Sequence, residues 1–90
     1  MADSARSQDI FDITPRHVAA ARGLLQMTQA ELAIAAGVHE NTIRRFEANT
    51  HVPRPSRLTA IREALERRGI LFLNHGSPGV RLREGAIIPL

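Results

Sequence analysis

The run Thr28-Gln29-Ala30-Glu31-Leu32-Ala33-Ile34-Ala35-Ala36-Gly37-Val38-His39-Glu40-Asn41-Thr42-Ile43-Arg44-Arg45-Phe46-Glu47 decides the fold. Thr28 to Glu31 has the form of a capping box, in which the Thr hydroxyl caps a helix and the Glu three residues on reaches back. A helix is predicted over about 29–36, with Leu32, Ala33 and Ala36 turned inward. Gly37 ends it, where a left-handed residue is needed. A second helix is predicted over about 40–48, burying Ile43 and Phe46, with Val38 packing from the turn and Asn49 as a left-handed cap. A connection this tight, with glycine in it, makes the two helices cross steeply. Glu40, Asn41, Arg44 and Arg45 are left on the outer face of the second helix.

Working outward, Thr14-Pro15 starts an earlier helix. Thr caps, and Pro in the first helical position lacks an N–H that would have no partner anyway. Ile13 and Val18 have the spacing of a hydrophobic staple. This helix is predicted over about 15–25, with Val18, Ala21 and Leu25 on one face. On the other side, Pro55 or Ser56 opens a helix to about 68 that buries Leu58, Ile61 and Leu65 and is closed by Gly69. The periodicity then changes. Ile70-Leu71-Phe72-Leu73 is an apolar run, residues 74–79 are dense in turn formers, and Val80-Arg81-Leu82-Arg83 alternates, as a β-hairpin does. The expected architecture is mainly α. Residues 1–13 form an arm, residues 14–69 a four-helix bundle, and residues 70–90 a C-terminal β-hairpin and tail.

Composition narrows the function. All 12 basic residues are Arg, against 9 acids, for a net charge of +3. Asp3, Asp9 and Asp12 oppose only Arg6 before residue 16, so the remainder is more basic than the total suggests and suits an anionic partner. There is no Cys, which excludes a disulfide framework, a thiol nucleophile and a thiolate metal site. There is no Trp or Tyr and only three Phe, which argues against base-stacking platforms for single strands. No apolar run is long enough to span a membrane, and the first residues do not form a signal peptide, so the expected compartment is the cytoplasm. His17, His39, His51 and His75 are scattered, and His39-Glu40 lacks the second His of a zinc-binding helix. Residues 74–79 lack the Lys-Ser/Thr ending of a phosphate loop. The expectation is no catalytic residue, no metal, no cofactor and no enzyme.

The outer face of the second of the two crossed helices fits the major groove of double-stranded DNA, whose base edges suit such side chains, although any helical hairpin in a small bundle shares this pattern. The order Ala21-Arg22, Thr28-Gln29-Ala30-Glu31-Leu32-Ala33, Gly37-Val38, Thr42-Ile43 and Glu47 resembles the Cro/repressor-type, or XRE-type, helix-turn-helix family. Val52-Pro53-Arg54-Pro55-Ser56 before Leu58 and Ile61 resembles the approach to that family's fourth helix, so the likeness covers about residues 16–68. It implies a helical bundle and sequence-specific DNA binding, usually as a transcriptional regulator.

The resemblance also assigns residues. Glu40, Asn41 and Arg45 match base-reading positions; Asn suits adenine, Arg guanine, and Glu the cytosine amino group. Glu40 has a sufficient structural role as well, as an acid in a first helical turn. Gln29 matches a phosphate-binding position at a helix N-terminus. Thr42 and Arg44 are placed for the DNA backbone. Thr50, Arg54 and Arg57 flank a loop that lies along it in the family, with Asn49 beside them. Arg22 and Glu47 match a partly buried ion pair that holds the recognition helix. His39 departs from the usual small hydroxyl cap, which predicts a less rigid helix start or a reach to phosphate. Arg67 and Arg68 complement a helix C-terminus.

The last third is not covered by the likeness. Ile70 to Leu73 is apolar on both strand faces, Ala86-Ile87-Ile88-Pro89-Leu90 is apolar again, and Ile34 is left exposed on the helix over 29–36. This predicts a homodimer whose interface includes Ile70, Leu71, Phe72, Leu73, Ile87 and Ile88. The alternative is cover within one chain by Ile10, Phe11 and Ile13. The alternative function is a protein-interaction module, such as the antitoxin half of a toxin–antitoxin pair.

Overall fold

The computed structural model describes residues 13–73 and 78–83. Four helices lead into a two-stranded sheet: α1 (Pro15–Leu25), α2 (Gln29–Ala36), α3 (Glu40–Glu47), α4 (Pro55–Arg67), β1 (Ile70–Leu73) and β2 (Gly79–Leu82). Residues 1–12 of the expected arm, with Ile10 and Phe11, lie outside the described residues, as do Ile87 and Ile88.

Each helix begins and ends for a local reason. Thr14 accepts the His17 backbone N–H at 3.1 Å, and His17 Nδ1 accepts the Thr14 backbone N–H at 3.0 Å. This is a capping box closed by imidazole rather than carboxylate. In α2 the box is the expected one: Thr28 Oγ1 accepts from Glu31 N–H at 3.0 Å and Glu31 Oε1 accepts from Thr28 N–H at 2.8 Å. Gly37 ends α2 with φ of 70°. His39 is the N-cap of α3, its Nδ1 accepting the Asn41 backbone N–H at 3.1 Å. Helices α3 and α4 each stop one residue earlier than expected, with Ala48 and Arg68 as caps.

The core is built from one face of every helix. Val18, Ala21 and Leu25 of α1 meet Leu32 and Ala33 of α2, Ile43 and Phe46 of α3, and Ile61, Ala64 and Leu65 of α4. Ile13 and Met27 close it from the connecting segments. Ala36 and Leu58, expected inside, are only partly buried at its edge.

The strands are antiparallel, pairing Ile70 with Leu82, Leu71 with Arg81, Phe72 with Val80 and Leu73 with Gly79. Directly opposite residues share a face, so Ile70, Phe72, Val80 and Leu82 point one way and Leu71, Leu73 and Arg81 the other. The first set packs on the helical core. Ile70 is 1% exposed, and the Phe72 ring meets the His17 imidazole edge-on at 5.8 Å. The expectation that all four β1 residues serve an interface is thereby narrowed. Ile70 and Phe72 pack on the chain's own helical core, and of the β1 residues only Leu71 and Leu73 face away from it. Among the described residues the sheet has two strands.

Candidate DNA-binding face

Helix α3 is the most strongly sided element of the bundle. Ile43 and Phe46 are buried at 0% and 3% exposure, while Glu40, Arg44 and Arg45 are exposed and Asn41 and Thr42 half-buried. Positions 40, 41, 44 and 45 fall on one helical face because residues four apart stack above each other. The result is an outward strip of one acid, one amide and two guanidinium groups. Glu40 also stands in the first turn, where its charge complements the helix dipole.

What holds α3 in place is a polar cluster at its far end. Arg22 Nε donates to Glu47 Oε2 at 2.6 Å and Arg22 Nη2 to Glu47 Oε1 at 2.7 Å. Arg22 Nη1 donates to the Met27 carbonyl at 2.9 Å. One guanidinium therefore ties α1, the α1–α2 turn and the end of α3 together. The two side chains are 20% and 9% exposed. The Arg22 pKa is raised above its ordinary value, chiefly by the hydrogen bond to Glu47; burial opposes this and the Glu47 charge adds to it. The planar fork of Arg suits such a bidentate pair, and Lys would make only one of these bonds well.

Gln29 joins the same cluster, donating from Nε2 to Glu47 Oε1 at 3.1 Å. The residue expected at a phosphate is thus oriented by Glu47, with a second amide N–H left over. Thr50 donates its hydroxyl to the Arg45 carbonyl at 3.1 Å, and its backbone N–H goes to the same oxygen at 2.9 Å. Its hydroxyl proton is therefore engaged at the end of α3. Asn49 has a φ of 62°, the left-handed conformation that turns the chain away from that helix. Arg54 stands at the N-cap of α4 without capping it, and Arg57 lies in the first turn; both are exposed. Arg67 reaches across to the Ala35 carbonyl at 3.3 Å, so it serves the C-terminus of α2 as well as that of its own helix.

His17 is the residue whose role the sequence does not announce, since there it is one of four scattered histidines. It is 4% exposed, caps α1 and contacts Phe72, and its Nε2 is buried without a partner among the described residues. Because Nδ1 accepts the Thr14 N–H, the ring proton of the neutral form is assigned to Nε2. The signal lies in the spacing Thr14-Pro15-Arg16-His17, a capping box with His in place of Glu.

Among the described residues, no helix is long and apolar enough to cross a membrane. A search of curated proteins found no match. The family model described as "Helix-turn-helix" matches residues 18–70, more than half the chain. That span runs from α1 through the start of β1 and contains the crossed helices, the ion pair and the sided α3. On this match and this geometry, the chain belongs to the Cro/repressor-type (XRE-type) helix-turn-helix family of DNA-binding regulators.

Proposed function

We propose that this protein is a sequence-specific transcriptional regulator that binds double-stranded DNA as a homodimer, with α3 in the major groove. The observation that carries the reading is the sidedness of α3. Its apolar face is consumed by the core, and its other face presents Glu40, Asn41, Arg44 and Arg45 on a helix held by two hydrogen bonds from Arg22 to Glu47. Asn41 and Arg45 read base edges, each worth about 1–3 kcal/mol of discrimination, and Glu40 disfavours bases that cannot donate to it. Arg44, Thr42, Arg54 and Arg57 contact phosphates, with Gln29 and Thr50 at the margins of the same surface, and set register without reading sequence.

The dimer rests on the outer face of the hairpin, where Leu71 is half-buried and Leu73 is 42% exposed. Two copies would place their recognition helices about 34–36 Å apart, one turn of DNA, and the operator would be palindromic. The direct test is selection of bound sites from random duplex DNA, repeated with two variants. Arg45→Ala relaxes preference at one position of each half-site. Arg54→Ala removes an exposed guanidinium; it weakens all sequences alike and lowers the salt slope by about 0.9 for each phosphate no longer neutralised. Equal loss on selected and random DNA for Arg45→Ala would overturn the base-reading assignment. No enrichment at all would favour the protein-interaction module instead.

A further inference from the structure

The side chain that caps α3 has a second polar atom. His39 Nδ1 accepts the Asn41 backbone N–H at 3.1 Å, and the His39 carbonyl accepts the Thr42 N–H at 2.9 Å. A ring nitrogen that accepts carries no proton, so the neutral imidazole holds its proton on Nε2. The capping bond therefore selects the tautomer and makes Nε2 a fixed donor. Among the described residues no hydrogen bond uses that N–H.

Packing does not account for the ring. His17 also accepts a backbone N–H through Nδ1, but it is buried and meets Phe72 edge-on. His39 is exposed. Helices α1 and α2 take their N-cap from a Thr hydroxyl, and a hydroxyl would serve the start of α3 as well. Imidazole adds reach and a donor whose direction the cap holds. Its position sets where that donor stands. His39 precedes Glu40 and Asn41, the N-terminal pair of the outward strip, and the N-terminal residues of a recognition helix are the ones that meet base edges.

We propose that His39 sets sequence preference as well as capping α3, donating from Nε2 to a guanine edge in the major groove. Guanine suits a single fixed donor best, because its N7 and O6 both accept; adenine sets one acceptor beside a donor, and cytosine presents only a donor. One side chain thus holds the Asn41 backbone in place and reads a base itself. The inference rests on α3 being the recognition helix.

The test runs selection from random duplex DNA with the full chain and with His39→Ser. Serine keeps a capping oxygen and lacks the second nitrogen, so the helical signal should persist. The expected result is a guanine preference at one position of each half-site that the variant loses while keeping its other preferences. Titration then compares the selected duplex with one in which that guanine–cytosine pair is reversed. The reversal should cost the unaltered protein about threefold to tenfold in affinity, the worth of one hydrogen bond, and His39→Ser less than about twofold. A looser helix start would weaken both duplexes together, so this ratio is insensitive to the cap. Equal reversal penalties in the two proteins overturn the proposal. Weaker binding of every sequence with the preference intact also overturns it, and gives the N–H to a phosphate. If the unaltered protein selects no sites, the reading of α3 as a recognition helix falls and takes this proposal with it; selection that His39→Ser leaves unchanged overturns this proposal alone.

Discussion

Removing the Arg22 side chain tests the link between the packing of this domain and its recognition helix. Arg22→Ala deletes three charge-assisted hydrogen bonds, two to Glu47 and one to the Met27 carbonyl. It leaves the Glu47 carboxylate, 9% exposed, with the Gln29 amide as its remaining side-chain partner among the described residues. Breaking a fully buried pair costs about 3–5 kcal/mol, because one charge stays desolvated. An exposed pair is worth about 0–1 kcal/mol. Arg22 is 20% exposed, so water screens part of the interaction and the expected cost is about 2–3 kcal/mol. For a domain of this size each kcal/mol moves Tm by roughly 4–8 °C, which predicts a fall of roughly 10–20 °C.

The assay is thermal and urea denaturation by circular dichroism on Arg22→Ala, Glu47→Ala and the double variant, analysed as a cycle. The expected coupling is about 2 kcal/mol, since the residues are in direct contact. Added salt should erode it little, as screening acts weakly on enclosed charges. The folded-state pKa of Arg22 is raised, so its stabilisation is complete below the unfolded value and is lost only as pH rises through the folded one, beyond the ordinary guanidinium range. The coupling should therefore hold steady on the alkaline side of neutrality. At a temperature where Arg22→Ala is still folded, its DNA affinity should also fall, because α3 has lost its tether. A coupling below about 0.5 kcal/mol, the level of a surface pair, would refute the reasoning.

Three further outcomes are expected. His17→Ala removes the acceptor for the Thr14 N–H and a buried ring against Phe72; it should cost about 2–3 kcal/mol by chemical denaturation, roughly 1 of it from the cap, and a cost within about 0.5 kcal/mol would deny the ring its role. Gly37→Ala meets no atom within 4 Å, so its cost is that of a left-handed φ alone, about 1–2 kcal/mol, with Gly37→Asn losing less. Leu71→Glu with Leu73→Glu should shift sedimentation from dimer to monomer while the helical signal persists; a dimer that survives both changes does not use this strand face.

The helical part of this fold is legible in the sequence because its signals are local. Thr28 and Glu31 are three residues apart, and that spacing sets a helix start whatever surrounds it. Ile43 and Phe46 share a helical face by period alone. Arg22 and Glu47 stand 25 positions apart, and no periodicity joins them; the likeness to a known family does, and the structure supplies their bidentate geometry. His39 reads as a poor cap from sequence because hydroxyls and carboxamides are the common ones. An imidazole nitrogen at the right φ and ψ accepts an N–H equally directly, as His17 does on α1.

The hairpin marks the boundary between the two kinds of knowledge. Alternation and turn residues place both strands to within one residue, but Ile70 to Leu73 is apolar at every position, so its pattern cannot say which face is inward. The pairing of Phe72 with Val80 and the approach of Phe72 to His17 decide that, leaving Leu71 and Leu73 outward. From sequence alone came the helix boundaries, the sided α3 and its Arg-rich face, because capping and periodicity are short-range. Tertiary structure decided which distant polar groups meet: Gln29 at Glu47 and Arg67 at Ala35. Those contacts depend on how segments distant in sequence pack, which no short-range signal encodes.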